Sequence, residues 1–64
     1  MTQTPEDVMR AHQYLYYVLA RPVLTDYEYD RFCRDAGLFG GGGSDRASDY
    51  SEHVIKIANQ LLRL

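Results

Sequence analysis

Cysteine occurs once in the sequence, at Cys33. An internal disulfide is therefore excluded, and Cys33 has no metal-ligand spacing with His12 or His53, so no metal site is expected. Such sparing cysteine use suits a reducing, cytoplasmic setting. No apolar run approaches the roughly 18 residues of a membrane span. The start, MTQTPEDVMR, is polar and acidic and lacks the apolar stretch of a signal peptide. There is no basic run either. The net charge is −2 with mixed signs, so direct nucleic acid binding is not expected. Lysine is present once, at Lys56. No alternating strand pattern, internal repeat or second-domain boundary is visible.

What is there fits one small helical domain, residues 1–64. A chain of this size buries only about 60% of its unfolded surface. It needs a compact helical core, a partner, or both, and an apolar fraction of 45% is enough for a globular core. Thr4-Pro5-Glu6-Asp7 is a helix start: Thr4 caps, Pro5 loses nothing in the first turn, and the two acids meet the positive end of the helix dipole. Val8, Ala11, Leu15, Val18 and Leu19 follow at helical spacing, which predicts a helix over about 5–19, ended by Pro22. Thr25 and Glu28 form a capping box for a second helix over about 26–35. Its apolar stripe is Tyr29, Phe32, Cys33 and Ala36, with Gly37 as a left-handed stop. The short connection favours an antiparallel hairpin. All five glycines lie within GLFGGGG, residues 37–43. That segment has neither the Gly-Lys-Ser/Thr end nor the preceding strand of a phosphate-binding loop, so it reads as a flexible connection. Leu38 and Phe39 are expected to fold back on the core. Ser51, or Asp49 with Glu52, can cap a third helix over about 52–63. Val54, Ile57, Ala58, Leu61 and Leu62 are its stripe, and it closes the hairpin as a lid. The expected fold is all-α, a three-helix domain.

The stretch TDYEYD, residues 25–30, is unusual in crowding three acids and two phenols. At roughly 100° per residue, Asp26 and Asp30 share a helix face and Tyr29 lies between that face and the core stripe. On the first helix Tyr16 sits at the stripe edge, beside His12 and Leu19, with Tyr17 nearly opposite the stripe. Across a hairpin, Tyr16 faces the start of the second helix. The result is a shallow cleft with an aromatic wall and two carboxylate acceptors, suited to a flat, partly cationic ring with amide donors and a ribose. The same residues also read as ordinary structure: Asp26 a cap, Tyr16 and Tyr29 core edges, and Asp30 a partner of Arg34.

Residues 12–32, HQYLYYVLARPVLTDYEYDRF, resemble the N-terminal domain, called Ia, of bacterial NAD-dependent DNA ligases. The matching positions are His12, Tyr14, Tyr16, Tyr17, Val18, Pro22, Asp26, Glu28, Tyr29 and Asp30, in register without a gap and over about a third of the chain. That domain is a helical hairpin holding the nicotinamide mononucleotide half of NAD. The resemblance implies that Tyr16 stacks on the nicotinamide and that Tyr17, Asp26, Tyr29 and Asp30 contact the nicotinamide and its ribose. The ligase lysine lies in a Lys-x-Asp-Gly motif, which this sequence does not contain. After residue 36 the likeness stops. The resemblance thus implies a freestanding, phage-like version of the domain that binds NAD or nicotinamide mononucleotide weakly and has no ligase activity alone. Two alternatives stand beside it. One is an interaction module acting on a ligase or another NAD-using enzyme through exposed Tyr14, Tyr17 and Tyr27. The other is a scaffold that retains the fold without a ligand.

Overall fold

The structure is a computed structural model that describes residues 4–38 and 43–63. Among the described residues it is all-helical, with three main helices, and no helix is long and apolar enough to cross a membrane. Helix α1, Pro5–Gln13, begins as the sequence dictates: Thr4 is extended, and its hydroxyl accepts from the Asp7 N–H at 3.1 Å. Helix α2, Asp26–Asp35, carries the full capping box. Thr25 Oγ1 accepts from the Glu28 N–H at 3.1 Å, and the Thr25 N–H donates to Glu28 Oε1 at 3.0 Å. Those two bonds hold the Glu28 carboxyl below its ordinary pKa. Gly37 ends α2 with φ +70°, and the Leu38 N–H reaches back to the Cys33 carbonyl at 2.8 Å. Helix α3, Glu52–Leu62, is capped by Ser51, whose Oγ accepts from the Val54 N–H at 3.2 Å. A short 3₁₀ turn, Ala47–Asp49, precedes it.

The end of the first helix departs from a simple reading. Tyr14–Val18 continues α1 as a π-helical turn, with the Leu19 N–H bonded to the Tyr14 carbonyl at 3.2 Å. The chain then exits through Ala20 at φ +53°, and the Arg21 N–H closes on the Leu15 carbonyl at 2.8 Å. Pro22 lies just beyond, where it blocks any return to helix. A left-handed alanine costs about 1–2 kcal/mol. Ala20→Gly removes that strain but adds freedom to the unfolded chain. The expected net gain is about 0.5–1 kcal/mol, or a thermal midpoint several degrees higher by circular dichroism. An unchanged or lower midpoint contradicts the strain.

The core joins α1 and its π turn to α3. Ala11, Tyr14 and Leu15 pack against Val54, Ile57 and Ala58, bordered by Val8, Val18, Leu19, Tyr50, Ile55 and Leu61. His53 Nε2 lies 3.4 Å from Asp7 Oδ2 and ties the two helices near their starts. No residue of α2 belongs to that cluster. Helix α2 meets α1 along a narrower flank, through buried Cys33, Phe32 edge-on to His12 at 5.9 Å, and a hydrogen bond from Gln13 Nε2 to Tyr29 Oη at 2.9 Å. The third helix is therefore the main packing partner of the first, not a lid on a finished hairpin. The broad apolar face of α1 is spent on α3, which leaves a gap beside α2.

Two sequence expectations about burial need correcting. Tyr14 is buried, edge-on to Tyr50 at 5.3 Å, so it forms no part of an exposed patch. It lies three residues from Ala11 and shares that residue's face. Leu62 is exposed, because the buried stripe of α3 runs through Val54, Ile57 and Ala58, with Leu61 partly covered, and ends before it. Leu38 is half-buried as expected, whereas the expectation for Phe39 lies outside the described residues.

Candidate functional site

The gap between α1 and α2 is a cleft of about 470 Å³, open water at its mouth included. The enclosed part is only about 100 Å³, below the 300–1,000 Å³ typical of small-molecule sites. Its inner wall is His12, Gln13, Tyr16 and Tyr17. Its floor is the connector Pro22, Val23 and Leu24, and α2 supplies Asp26 and Tyr29.

Tyr16 and Tyr17 share one wall of the cleft, within the π turn. In an α-helix successive residues diverge by roughly 100°, which sends Tyr17 away from Tyr16. A wider i→i+5 turn advances less per residue, and it lies over Tyr14–Val18. The two rings meet edge to face at 4.8 Å, and they remain 47% and 41% exposed. Both thus offer ring surface to something outside the fold. Tyr17 is exposed and outside the core cluster, as a position away from the apolar stripe implies, and it also lines the cleft.

Tyr29 faces them from the first turns of α2. Burial pushes its phenol up to about 12, helped by the Cys33 thiol one helical turn on and opposed by the Gln13 bond. It is a neutral, fixed hydroxyl at any ordinary pH. Asp26 sits in the first turn of α2, exposed at the rim of the cleft, where the helix dipole favours its charge. Asp30 is different. It is exposed, is not part of the cleft lining, and bonds Arg34 one turn on. The structure therefore brings Tyr16, Tyr17, Asp26 and Tyr29 together and leaves Asp30 outside, as an ion-pair partner.

Sequence reasoning missed Gln13 and the connector as parts of the cleft. The apolar pair Val23-Leu24, in the seven-residue link 19–25 between two helices, was the available signal. It also left His12 at a stripe edge. His12 is 8% exposed, and its Nδ1 is buried without a hydrogen-bond partner among the described residues. Burial holds its pKa below the ordinary 6.5. Folding then disfavours the protonated form. As pH falls through 6.5 the unfolded chain takes up a proton that the folded chain refuses, so stability declines until the lower folded pKa is reached. Urea midpoints are expected to drop between pH 7 and pH 5, with the slope reduced in His12→Leu. An equal slope in the two proteins assigns the effect elsewhere. Among the described residues no group of three or more His, Cys, Asp or Glu side chains is placed to hold a metal ion.

The fold and cleft together define a small helical module with an open, aromatic and acidic slot. Part of the sequence is similar to curated proteins. Part of the chain is 64% identical over 25 residues to the DNA ligase of Persephonella marina, covering 39% of this chain and 4% of the ligase. The DNA ligase of Sulfurihydrogenibium azorense is 60% identical over 25 residues, 39% of this chain and 4% of the ligase. That of Aquifex aeolicus is 57% identical over 28 residues, 44% of this chain and 4% of the ligase. These matches agree with a partial homologue of a ligase N-terminal region. The chain thus spans only about 4% of the length of the curated relatives it matches. No family model and no solved structure matches it.

Proposed function

We propose that this chain is a ligase-related binding module whose cleft takes the nicotinamide mononucleotide half of NAD, and that it does not seal nicks alone. The observation that carries this reading is the convergence of Tyr16, Tyr17, Asp26 and Tyr29 on one open cleft. A nicotinamide ring in NAD is flat and cationic. Exposed phenol faces suit it through stacking and cation–π attraction. Asp26 accepts from ribose hydroxyls at the rim, and the fixed Tyr29 hydroxyl supplies a polar contact deeper in. No nucleophilic lysine stands by: Lys56 is exposed on α3 and lines no part of the cleft. Asp30 contributes only if it leaves Arg34.

Binding should be weak. Good pockets bury 70–90% of a ligand, and an open half-slot offsets little of the association entropy. Isothermal calorimetry is expected to give a Kd of about a millimolar for nicotinamide mononucleotide and NAD, with none for AMP. Equal binding of AMP, or heat without saturation, removes the reading. Exposure of Tyr16, Tyr17 and Val23 around the mouth favours a related role: a partner, such as a ligase catalytic domain or another NAD-using enzyme, supplies the second wall. In that case affinity for the nucleotide rises when the partner is added.

A further inference from the structure

Gly43, at the far end of the glycine-rich segment, lies against the cleft wall. A Cβ built on Gly43 would lie 2.8 Å from Tyr17 Cδ2, 3.0 Å from Tyr17 Cε2 and 3.0 Å from Gln13 Cβ. The first is closer than real Cβ atoms come, and the two at 3.0 Å are tighter than nearly all Cβ contacts. Gln13 Cβ is fixed to a helix, so the group that yields is the Tyr17 ring or the Gly43 backbone. Gly43 therefore packs closely against two residues of the cleft wall at once.

The backbone at this point is held. The Ser44 carbonyl accepts from Tyr50 Oη at 2.5 Å, Ser44 Oγ donates to Asp49 Oδ2, and the Arg46 N–H donates to Ser44 Oγ at 3.2 Å. Tyr50 in turn packs edge-on against buried Tyr14 in the π turn. A continuous set of contacts thus runs from the core through Tyr50 and Ser44 to Gly43, and from Gly43 to the Tyr17 ring. Tyr17 passes it on to Tyr16 through their edge-to-face contact. With Ser44 anchored, the Gly43 backbone cannot retreat freely, and the ring is what moves.

We infer that Gly43 is a positioning residue of the cleft: lacking a side chain, it fixes the angle of the Tyr17 ring, and through it the aromatic wall that a flat ligand meets. The glycine at the end of the run serves close approach, not only chain flexibility. The effect on ligand rests on the nicotinamide nucleotide reading above. The effect on the ring does not.

The experiment follows the ring protons of Tyr16, Tyr17 and Tyr29 by NMR in the unliganded chain, for wild type, Gly43→Ala, Tyr17→Ala and the double variant. Gly43→Ala is expected to keep its helical circular dichroism, shift the Tyr17 and Tyr16 ring signals, and weaken nicotinamide mononucleotide binding about fivefold. In the Tyr17→Ala background the same change should leave the Tyr16 and Tyr29 rings where they were, since no ring remains to transmit it. If Gly43→Ala fails to fold, Tyr50→Phe tests the same linkage. It keeps the packing on Tyr14, releases the Ser44 carbonyl, and should move the Tyr17 ring. An unmoved Tyr17 ring in the folded variants, or a Gly43→Ala effect that persists without Tyr17, overturns the inference. A wild type that does not bind the nucleotide sinks only the ligand reading, and the ring signals still decide the role of Gly43.

Discussion

Leu15→Ala is expected to leave most of the chain unfolded at 25 °C. Leu15 is the largest fully buried side chain, and it lies in the cluster that joins the first helix to α3. Truncating a buried leucine costs about 2–5 kcal/mol, the upper part of the range where the site cannot collapse. A core this small seldom supplies more than about 3–5 kcal/mol in all. The two figures are of the same size, so a single truncation consumes the margin. Urea titration by circular dichroism checks it, with Leu62→Ala as the control. Leu62 is exposed at the end of α3, and its loss should cost under about 0.5 kcal/mol. A loss below about 1 kcal/mol for Leu15→Ala would mean that the α1–α3 cluster is not what holds the fold.

Tyr16→Ala has the second large effect, and it falls on binding rather than folding. Tyr16 is half exposed and lines the cleft while contributing nothing to the central cluster. Its removal should therefore leave the helices intact. Stacking of a flat nucleobase-like ring on an aromatic side chain is worth about 1–3 kcal/mol by alanine substitution, or roughly fivefold to 150-fold in Kd. From a millimolar start, saturable binding of nicotinamide mononucleotide should vanish from the accessible range. Tyr27→Ala is the matched control: Tyr27 is the most exposed tyrosine, on the same hairpin and outside the cleft. If both variants bind as wild type does, the aromatic wall is not the recognition surface.

Local chemistry made the helix ends legible. The Thr4 cap, the Thr25–Glu28 box, the Ser51 cap and the Gly37 stop each depend on a residue and its near neighbours, and each is in place. The membership of the cleft was legible in part. Tyr16, Asp26 and Tyr29 were brought together by helical phase and a short connection. What stayed hidden was non-local. The π turn adds a residue to one helical turn without any apolar period to announce it. The burial of Tyr14 depends on Tyr50, 36 positions on in sequence. The dominance of α3 over α2 as packing partner depends on which stripe fits α1 best, which helical spacing alone does not rank. Asp30 carried two readings from the start, and the structure gives its carboxylate to Arg34. Gly43 looked like one more residue of a flexible run. Only the close approach to Tyr17 and Gln13 sets it apart.

Adding nicotinamide mononucleotide stepwise to isotope-labelled protein, and mapping which resonances move, addresses the binding surface most directly. The account predicts saturable shifts at Tyr16, Tyr17, Asp26, Tyr29 and the Pro22–Leu24 connector, with Tyr27 and the outer face of α3 silent. Silence at all of the cleft residues up to about ten millimolar ligand, or movement concentrated on α3, contradicts it.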